Sequence, residues 1–472
     1  MEKLSSSLAE NRRELDRRIG VGRSFDVISR DLTIGGKAAR LYVVDGYGDD
    51  GVLERILSFL LQVTPEQMAS VADMDQLITR YVSFGEVSSE DQLETILTGV
   101  FLGKTCLLVE GFGRCALIDA KMFPGREVQE PTNGRVLRGS HDGFVEILLK
   151  NTSLIRRRVR DEHLTLENHQ VGGSSRTDVV LAYMEDRVDR ELLEEVRKKL
   201  LAIDVGSVAM SQESVAEAMM PRQWYNPFPK VRYTERPDVA TACIMEGNVV
   251  VLVDNSSSVM LLPTNFFDFM EEANDFYFPP LVGTYFRYIR MVVFLMSLVI
   301  TPVWYLLAKS PHNVPDWLQF ITVEEMGQVP LLVQLLLVEF IIDLLKLASL
   351  NTPDVLSNSF SMIGALILGD FAVQARWLVP EVLVYMAYVS IASFAQPSFE
   401  MGYAFKIMRV VLLLLIALLD WWGFAIGMVL WLVLLFTTKP IAGKGYMYPL
   451  WPFDKKALGR LMVRRPINRD NT

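Results

Sequence analysis

Cysteine is nearly missing from this chain: three residues among 472, at Cys106, Cys115 and Cys243. An odd number at this spacing supports neither a disulfide framework nor a zinc cluster, so reduced thiols in a core are expected, in a reducing compartment. The N-terminal stretch MEKLSSSLAENRRELDRRIG lacks the apolar core of a signal peptide. That predicts no cleaved leader and a first part of the chain that stays in the cytosol. Positive charge is also short there, since residues 1–290 hold 34 Lys and Arg against 44 Asp and Glu. Without clustered cations to neutralise phosphates, nucleic acid is excluded as a natural partner.

Signatures of catalysis are missing as well. Gly172-Gly173-Ser174-Ser175 has no following Lys-Ser/Thr, and Gly111-Phe112-Gly113 reads only as a turn. His163 and His169 could share a strand face near Glu162 and Glu167, but no HExxH helix accompanies them. No nucleophile–base set assembles, so the chain is not read as an enzyme and calls for no metal or cofactor. No repeat of solenoid period and no low-complexity segment is visible.

What residues 291–436 lack is charge itself: 15 charged side chains in 146 positions, with 291–308 and 411–419 wholly uncharged. A soluble core cannot absorb that much continuous apolar sequence, whereas each helical crossing of a bilayer needs roughly 20 apolar residues. The expected fold is an α/β cytosolic region of two small mixed subdomains followed by an all-α multi-spanning membrane domain. The expected boundaries are 1–140, 141–280, a transmembrane part 281–436 and a basic cytosolic tail 437–472, whose 8 Lys and Arg face 2 acids.

Periodicity predicts strands at 39–44, 105–110, 114–119, 163–170 and 178–184, and a hairpin at 249–253 and 259–262. It predicts helices at 51–61, 91–101, 142–160 and 190–201. In the apolar part, 291–308, 329–350, 360–378, 382–394 and 408–436 read as helices, broken by Pro353, Pro380, Pro397 and Gly423. Four full crossings and one half-depth helix are expected. Arg287 and Arg290 before the first span, against Asp316, Glu324 and Glu325 after it, put the N-terminal domain inside. The basic tail is also inside, which requires an even number of crossings.

Glu339, Asp343 and Lys346 stand at i, i+4 and i+7, so one helix face carries all three. They either line an ion path or belong to an amphipathic helix whose charges lie in interfacial water. Asp370 follows ten uncharged residues and is a further path or partner candidate, while Asp420 either faces a protein interior or sits at the headgroup level, which Trp421 and Trp422 favour. The run Arg156-Arg157-Arg158 ends an amphipathic helix, where cations suit the C-terminal dipole, and it could also meet a partner subunit or lipid phosphates.

Several segments carry a resemblance. Glu130-Pro131, Arg138-Gly139, Gly143-Phe144-Val145-Glu146, Asn151 and Leu154-Ile155-Arg156-Arg157-Arg158 resemble the junction in A subunits of the GerA family of spore germinant receptors. Glu235-Arg236-Pro237-Asp238-Val239, Val253-Asp254-Asn255-Ser256, Gly364-Ala365-Leu366-Ile367-Leu368-Gly369, Ala372-Val373-Gln374-Ala375 and Ile391-Ala392-Ser393-Phe394 follow in family order. The resemblance covers almost the whole chain. The opening Glu10-Asn11-Arg12, Gly20-Val21-Gly22 and Ser24-Phe25-Asp26-Val27, with the closing Tyr448-Pro449-Leu450-Trp451-Pro452-Phe453 and Lys456-Ala457-Leu458, look most like the branch counted among stage V sporulation proteins. One departure is Asp254-Asn255-Ser256, where many members have Gly-Ser or Gly-Thr.

The resemblance implies a multi-pass protein of the spore inner membrane, with its N-terminal domain and tail facing the spore core. It implies a homo-oligomer, a pentamer, acting as a cation channel that releases ions during germination and amplifies the germinant signal. Implied partners are a small SpoVA-type membrane protein or receptor B and C subunits, together with membrane lipid and cations. Nutrient binding is credited to the B subunit, so no amino-acid pocket is expected here. On this reading Glu339, Asp343, Lys346 and Asp370 are ion-path or gating candidates. Asn151, Arg156, Arg157 and Arg158 are candidate subunit or gating contacts. The alternatives are a secondary transporter, although no inverted repeat is visible in 291–436, and a membrane-anchored enzyme.

Overall fold

Gly35 and Gly36, with φ of 54° and 78°, turn β1 (Val27–Ile34) back on β2 (Lys37–Val44). A Cβ on Gly35 would lie 2.4 Å from that of Met68, so the turn needs glycine for space as well as for its backbone. With β3 (Val87–Glu90), β4 (Thr105–Val109) and β5 (Cys115–Ile118) the hairpin forms a sheet ordered β1-β2-β4-β5-β3, every neighbour antiparallel. Helices α1 (Leu8–Ile19) and α5 (Leu93–Phe101) cover one face, and α2 (Asp50–Leu61), α3 (Pro65–Ala69) and α4 (Met74–Tyr81) the other. Strand β4 is therefore buried on both sides: Leu107 and Val109 pack with α2–α4, Cys106 and Leu108 with α1 and α5. The thiols of Cys106 and Cys115 are free and buried. Arg40, also buried, reaches Asp31 at 2.7 Å and Asp16 at 3.0 Å and ties α1 to the sheet.

The computed structural model describes residues 3–22, 27–45, 47–122, 127–131, 134–136, 138–220, 223–310, 314–323, 328–351, 373–443 and 445–463. It divides into two compact units, Met1–Arg126 and Glu127–Thr472. The second unit begins with another sheet built from β6 (Leu164–Val171), β7 (Thr177–Met184), β8 (Arg232–Thr234), β9 (Val249–Val253) and β10 (Val259–Leu262). Its order, β6-β7-β9-β10-β8, repeats that of the first sheet strand for strand, again with antiparallel neighbours. Helices α6 (Leu148–Arg158) and α9 (Pro237–Met245) cover one face, α7 (Arg190–Leu201) and α8 (Ser211–Met219) the other. Ile441 and Ala442 complete the core under α7 and α8, although they follow the apolar helices in sequence. The Lys199 ammonium holds the Ile441 carbonyl.

Helix α6 starts at Leu148, six residues later than its apolar pattern predicts. Asn151 accepts from Val145 N at 2.8 Å and donates to Val145 O at 2.5 Å, while Phe144 N donates to Glu235 O at 2.8 Å. These bonds hold 143–147 extended, which overrides local helical preference.

The remaining α-helices among the described residues are α10 (Asn274–Tyr277), α11 (Pro280–Lys309), α12 (Leu331–Asn351), α13 (Pro380–Phe394), α14 (Phe399–Thr437) and α15 (Lys455–Met462). Among the described residues, α11 and α14 are long and apolar enough to cross a bilayer, each with a mean hydropathy of 2.2. Helix α14 breaks at Asp420, whose φ of 49° and ψ of −125° leave helical space. The chain then folds back on itself. The rings of Phe405 and Trp431 lie 6.0 Å apart, where an unbroken helix would separate these residues by about 39 Å. A Cβ on Gly423 would lie 2.0 Å from Leu415 O, and one on Gly427 2.4 Å from Leu412 Cδ2, so this Gly-xxx-Gly face lets the arms touch. Helices α12 and α13 are parallel: Gln334 accepts from Val379 N at 2.8 Å near their starts, and Lys346 lies over the Phe394 ring near their ends. The expected helix 360–378 and its Asp370 lie largely outside the described residues.

Candidate functional site: a buried charge cluster between helices

Helix α12 presents Glu339, Asp343 and Lys346 toward Lys406 and Arg409, which stand one turn apart on α14. Arg409 Nε lies 2.6 Å from Glu339 Oε1, and its Nη1 donates to Ser297 O of α11 at 2.5 Å. Lys406 lies 3.4 Å from Glu339 Oε2, donates to Glu339 O at 3.2 Å and pairs with the Asp343 carboxylate. Glu339 and Arg409 are each 4% exposed. One Asp343 oxygen, Oδ1, is buried with no hydrogen-bond donor among the described residues. The Lys346 ammonium stands 5.4 to 6.0 Å from the rings of Tyr403, Phe399 and Phe394, where ring quadrupoles attract a cation.

Beside the cluster is a cavity of about 30 Å³ lined by Ser297, Lys346, Ser390, Ser393, Gln396 and Tyr403 among others. Gln396 Nε2 donates to Ser297 Oγ at 3.2 Å. A Cβ on Gly402 would sit 2.5 Å from Gln396 Oε1, so glycine leaves that amide its place. The space is polar and large enough for water, not for a hydrated ion. The stripe on α12 thus faces other helices, not interfacial water. Its carboxylates do not stand in excess either: two acids meet three cations. As arranged, the cluster can lock α11, α12 and α14 together.

A second network closes the base of α11. Arg290 grips Asp275 through both nitrogens, at 2.7 and 2.9 Å, and reaches Glu272 at 2.9 Å. Arg287 lies 3.2 Å from Glu271 and 3.7 Å from Asp275, and donates to Leu461 O at 2.8 Å. Both arginines are buried and neutralised, so they are not the free flanking charges that the sequence argument about orientation used. At the other end of α11, Lys309 meets Asp420 at 2.5 Å and donates to Ala417 O at 3.1 Å, pinning the tip of the α14 hairpin.

The family model described as Bacillus/Clostridium GerA spore germination protein matches residues 14–472. The chain belongs to the GerA family. It is similar to stage V sporulation protein AF of Bacillus subtilis (strain 168), with 35% identity over 97% of this chain and 92% of that one. It is 26% identical to the uncharacterized membrane protein YfkQ of the same organism, over 86% of this chain and 79% of that one. A solved structure, the N-terminal domain of the A subunit of the Bacillus megaterium spore germinant receptor GerK3, is 25% identical over 56% of this chain and 98% of that one, with a TM-score of 0.22.

In this GerA-family chain the other candidates lie in the second sheet domain. Asn151 is buried, bound to Val145 and to Ser256 O at 3.3 Å, so it braces the α6 entry. Arg156 donates to Asp161 O at 3.1 Å and Leu164 O at 2.9 Å, and Arg158 pairs with Asp142 at 2.5 Å. Arg157 is exposed and faces a hollow shared with His141 and Arg160. Near His169, Arg197 beside Glu167 holds that carboxyl down to about 2, with Tyr183 and His169 also donating to it. Glu167 is thus engaged as an ion-pair partner. Sequence reasoning missed Lys406 and Arg409. Two cations at i, i+3 in an apolar stretch, opposite two acids at i, i+4 elsewhere, were the available signal.

Proposed function

We propose that this protein is a membrane subunit of a spore germination complex in the spore inner membrane, and that it passes cations as germination begins. The observation that carries the reading is the Glu339–Asp343–Lys406–Arg409 cluster, held between apolar helices. Charged groups at bilayer depth cost at least about 3 kcal/mol each on insertion scales and persist where they pair, line water or work. In the closed arrangement Lys406 and Arg409 occupy the carboxylates and act as a latch. Sliding α14 against α12 would free Glu339 and Asp343 to draw cations, as rings of carboxylates do.

The cavity in one protomer is too small for an ion path, so the path is put between copies in a homo-oligomer, a pentamer. Asp370 is retained as a path residue. Arg157, exposed and, among the described residues, without the carbonyl contacts that hold Arg156, is the candidate for contact with a neighbouring subunit. A small SpoVA-type membrane protein, or receptor B and C subunits, would complete the complex. The N-terminal domain and the tail are assigned to the spore core. This agrees with the hydrogen bond from Asn226 to Thr438 at 2.7 Å, which returns the end of α14 to the side from which α11 leaves.

The test is cation release from spores carrying Glu339→Gln, Asp343→Asn and Asp370→Asn together. Release slowed at least severalfold, with the protein still present in the membrane, is the expected result. Unaltered release would remove these residues from the path.

A further inference from the structure

The segment after the last apolar helix carries apolar side chains that the described residues of the second unit leave uncovered. Trp451 and Phe453 are 71% and 67% exposed, and Leu450 and Val463 are exposed beside them. Four large apolar side chains within one short segment are costly to leave in water. Directly after Phe453 and Asp454, and before Val463, α15 opens with Lys455 and Lys456, both exposed. Among the described residues no carboxylate pairs with either lysine. The nearby Asp454 is engaged elsewhere, accepting from Lys456 N at 2.9 Å, Ala457 N at 3.1 Å and Tyr448 Oη at 2.8 Å.

Two contacts fix the height of this segment on the helical bundle. Leu461 O accepts from Arg287, four residues before the uncharged run of α11 begins at Met291. At 1.5 Å per residue that is about 6 Å outside the apolar stretch, the depth of lipid headgroups. Trp451 shares a hollow with Phe436, Thr438 and Lys439, at the end of the returning arm of α14. The segment therefore runs from the foot of one long apolar helix to the foot of the other. Exposed Tyr285 and Tyr288 of α11 stand near the same level. Aromatic rings next to unpaired lysines at this depth match the boundary between acyl chains and charged headgroups.

We propose that residues 448–463 form a foot that binds phospholipids of net negative charge, with Trp451 and Phe453 seated among the upper acyl carbons and Lys455 and Lys456 on lipid phosphates. The proposal rests on the membrane placement argued above. It adds a lipid class and the residues that select it.

The experiment uses the full-length protein, extracted from membranes and reconstituted with equal parts phosphatidylglycerol and phosphatidylcholine. The ratio of the two lipids still bound after re-extraction is measured. Wild type should keep phosphatidylglycerol in excess, and that excess should fall about fivefold for each lysine removed in Lys455→Gln/Lys456→Gln. Lys455→Arg/Lys456→Arg should keep it, which separates lost charge from misfolding. An unchanged ratio in the glutamine variant overturns the proposal. So does displacement of the lipid by inorganic phosphate but not by chloride of equal ionic strength. Capture of a second copy by a cross-linker on Trp451→Cys, in place of lipid, also overturns it. An alkaline wash distinguishes the two levels: release of the wild type from membranes defeats the membrane placement, whereas retention without lipid preference defeats only the foot.

Discussion

Removing the Arg409 guanidinium would leave Glu339 between apolar helices with the Lys406 ammonium, at 3.4 Å, as its remaining ion-pair partner among the described residues. Breaking one partner of a buried pair costs about 3–5 kcal/mol, because the remaining charge has lost both its attraction and its water. Arg409→Gln is therefore expected to lower the melting temperature of the detergent-purified protein clearly, and Glu339→Gln/Arg409→Gln to recover much of the loss. Equal melting of Arg409→Gln and the double variant would mean that the orphaned Glu339 carboxylate carries no burial penalty. At this scale the sequence was half legible. The acids on α12 could be found because charge in an apolar run is conspicuous and their spacing puts them on one face. Their cationic partners could not be assigned, since no local pattern says which face of a helix 67 positions later will meet them, the separation of the Lys406 to Glu339 contact.

The hairpin of α14 depends on glycine where its arms touch. Gly427→Leu would place a branched side chain where even a Cβ meets Leu412 at 2.4 Å. Overpacking of this kind costs about 1–3 kcal/mol when neighbours can yield, and here the neighbour is a fully buried leucine. Spin labels at positions 407 and 429 should report short distances in the parent and a longer or broadened distribution in Gly427→Leu. An unchanged distribution would show that the arms are held by other contacts. Strong local patterns marked the elements well: Arg190–Leu201 and the strands Val249–Val253 and Val259–Leu262 form where their periodicity predicts. The unpredicted strands are those without such a pattern. Strand β1 carries Arg30 and Asp31 in mid-strand, β3 reads Val-Ser-Ser-Glu, and β8 is three residues long. Pairing with neighbours, not propensity, makes them strands.

Across the whole chain, the two sheets share one strand order, yet no repeat is visible in the amino acids. Alternating burial and loop geometry can be kept while identities drift, because a core asks for apolar residues of about the right size. The tail is the counterpart at this scale. Its charge was plain, but the burial of Ile441 under α7 was not, since a single isoleucine beside Pro440 has no periodic context. Ile441→Ala removes a fully buried side chain from the second sheet domain and should destabilise it by about 2–5 kcal/mol. Hydrogen exchange would show faster labelling of α7 and α8, with β1–β5 unchanged. Loss of protection spread evenly over both sheets would contradict this.

The order of synthesis follows from that same isoleucine. The ribosome makes the walls of the second sheet domain first and the plug that seals them only after the whole apolar stretch has emerged. Until residues 441 and 442 are made, that domain waits with a gap in its interior, so a chain stalled before them would offer chaperones and proteases an unsealed target.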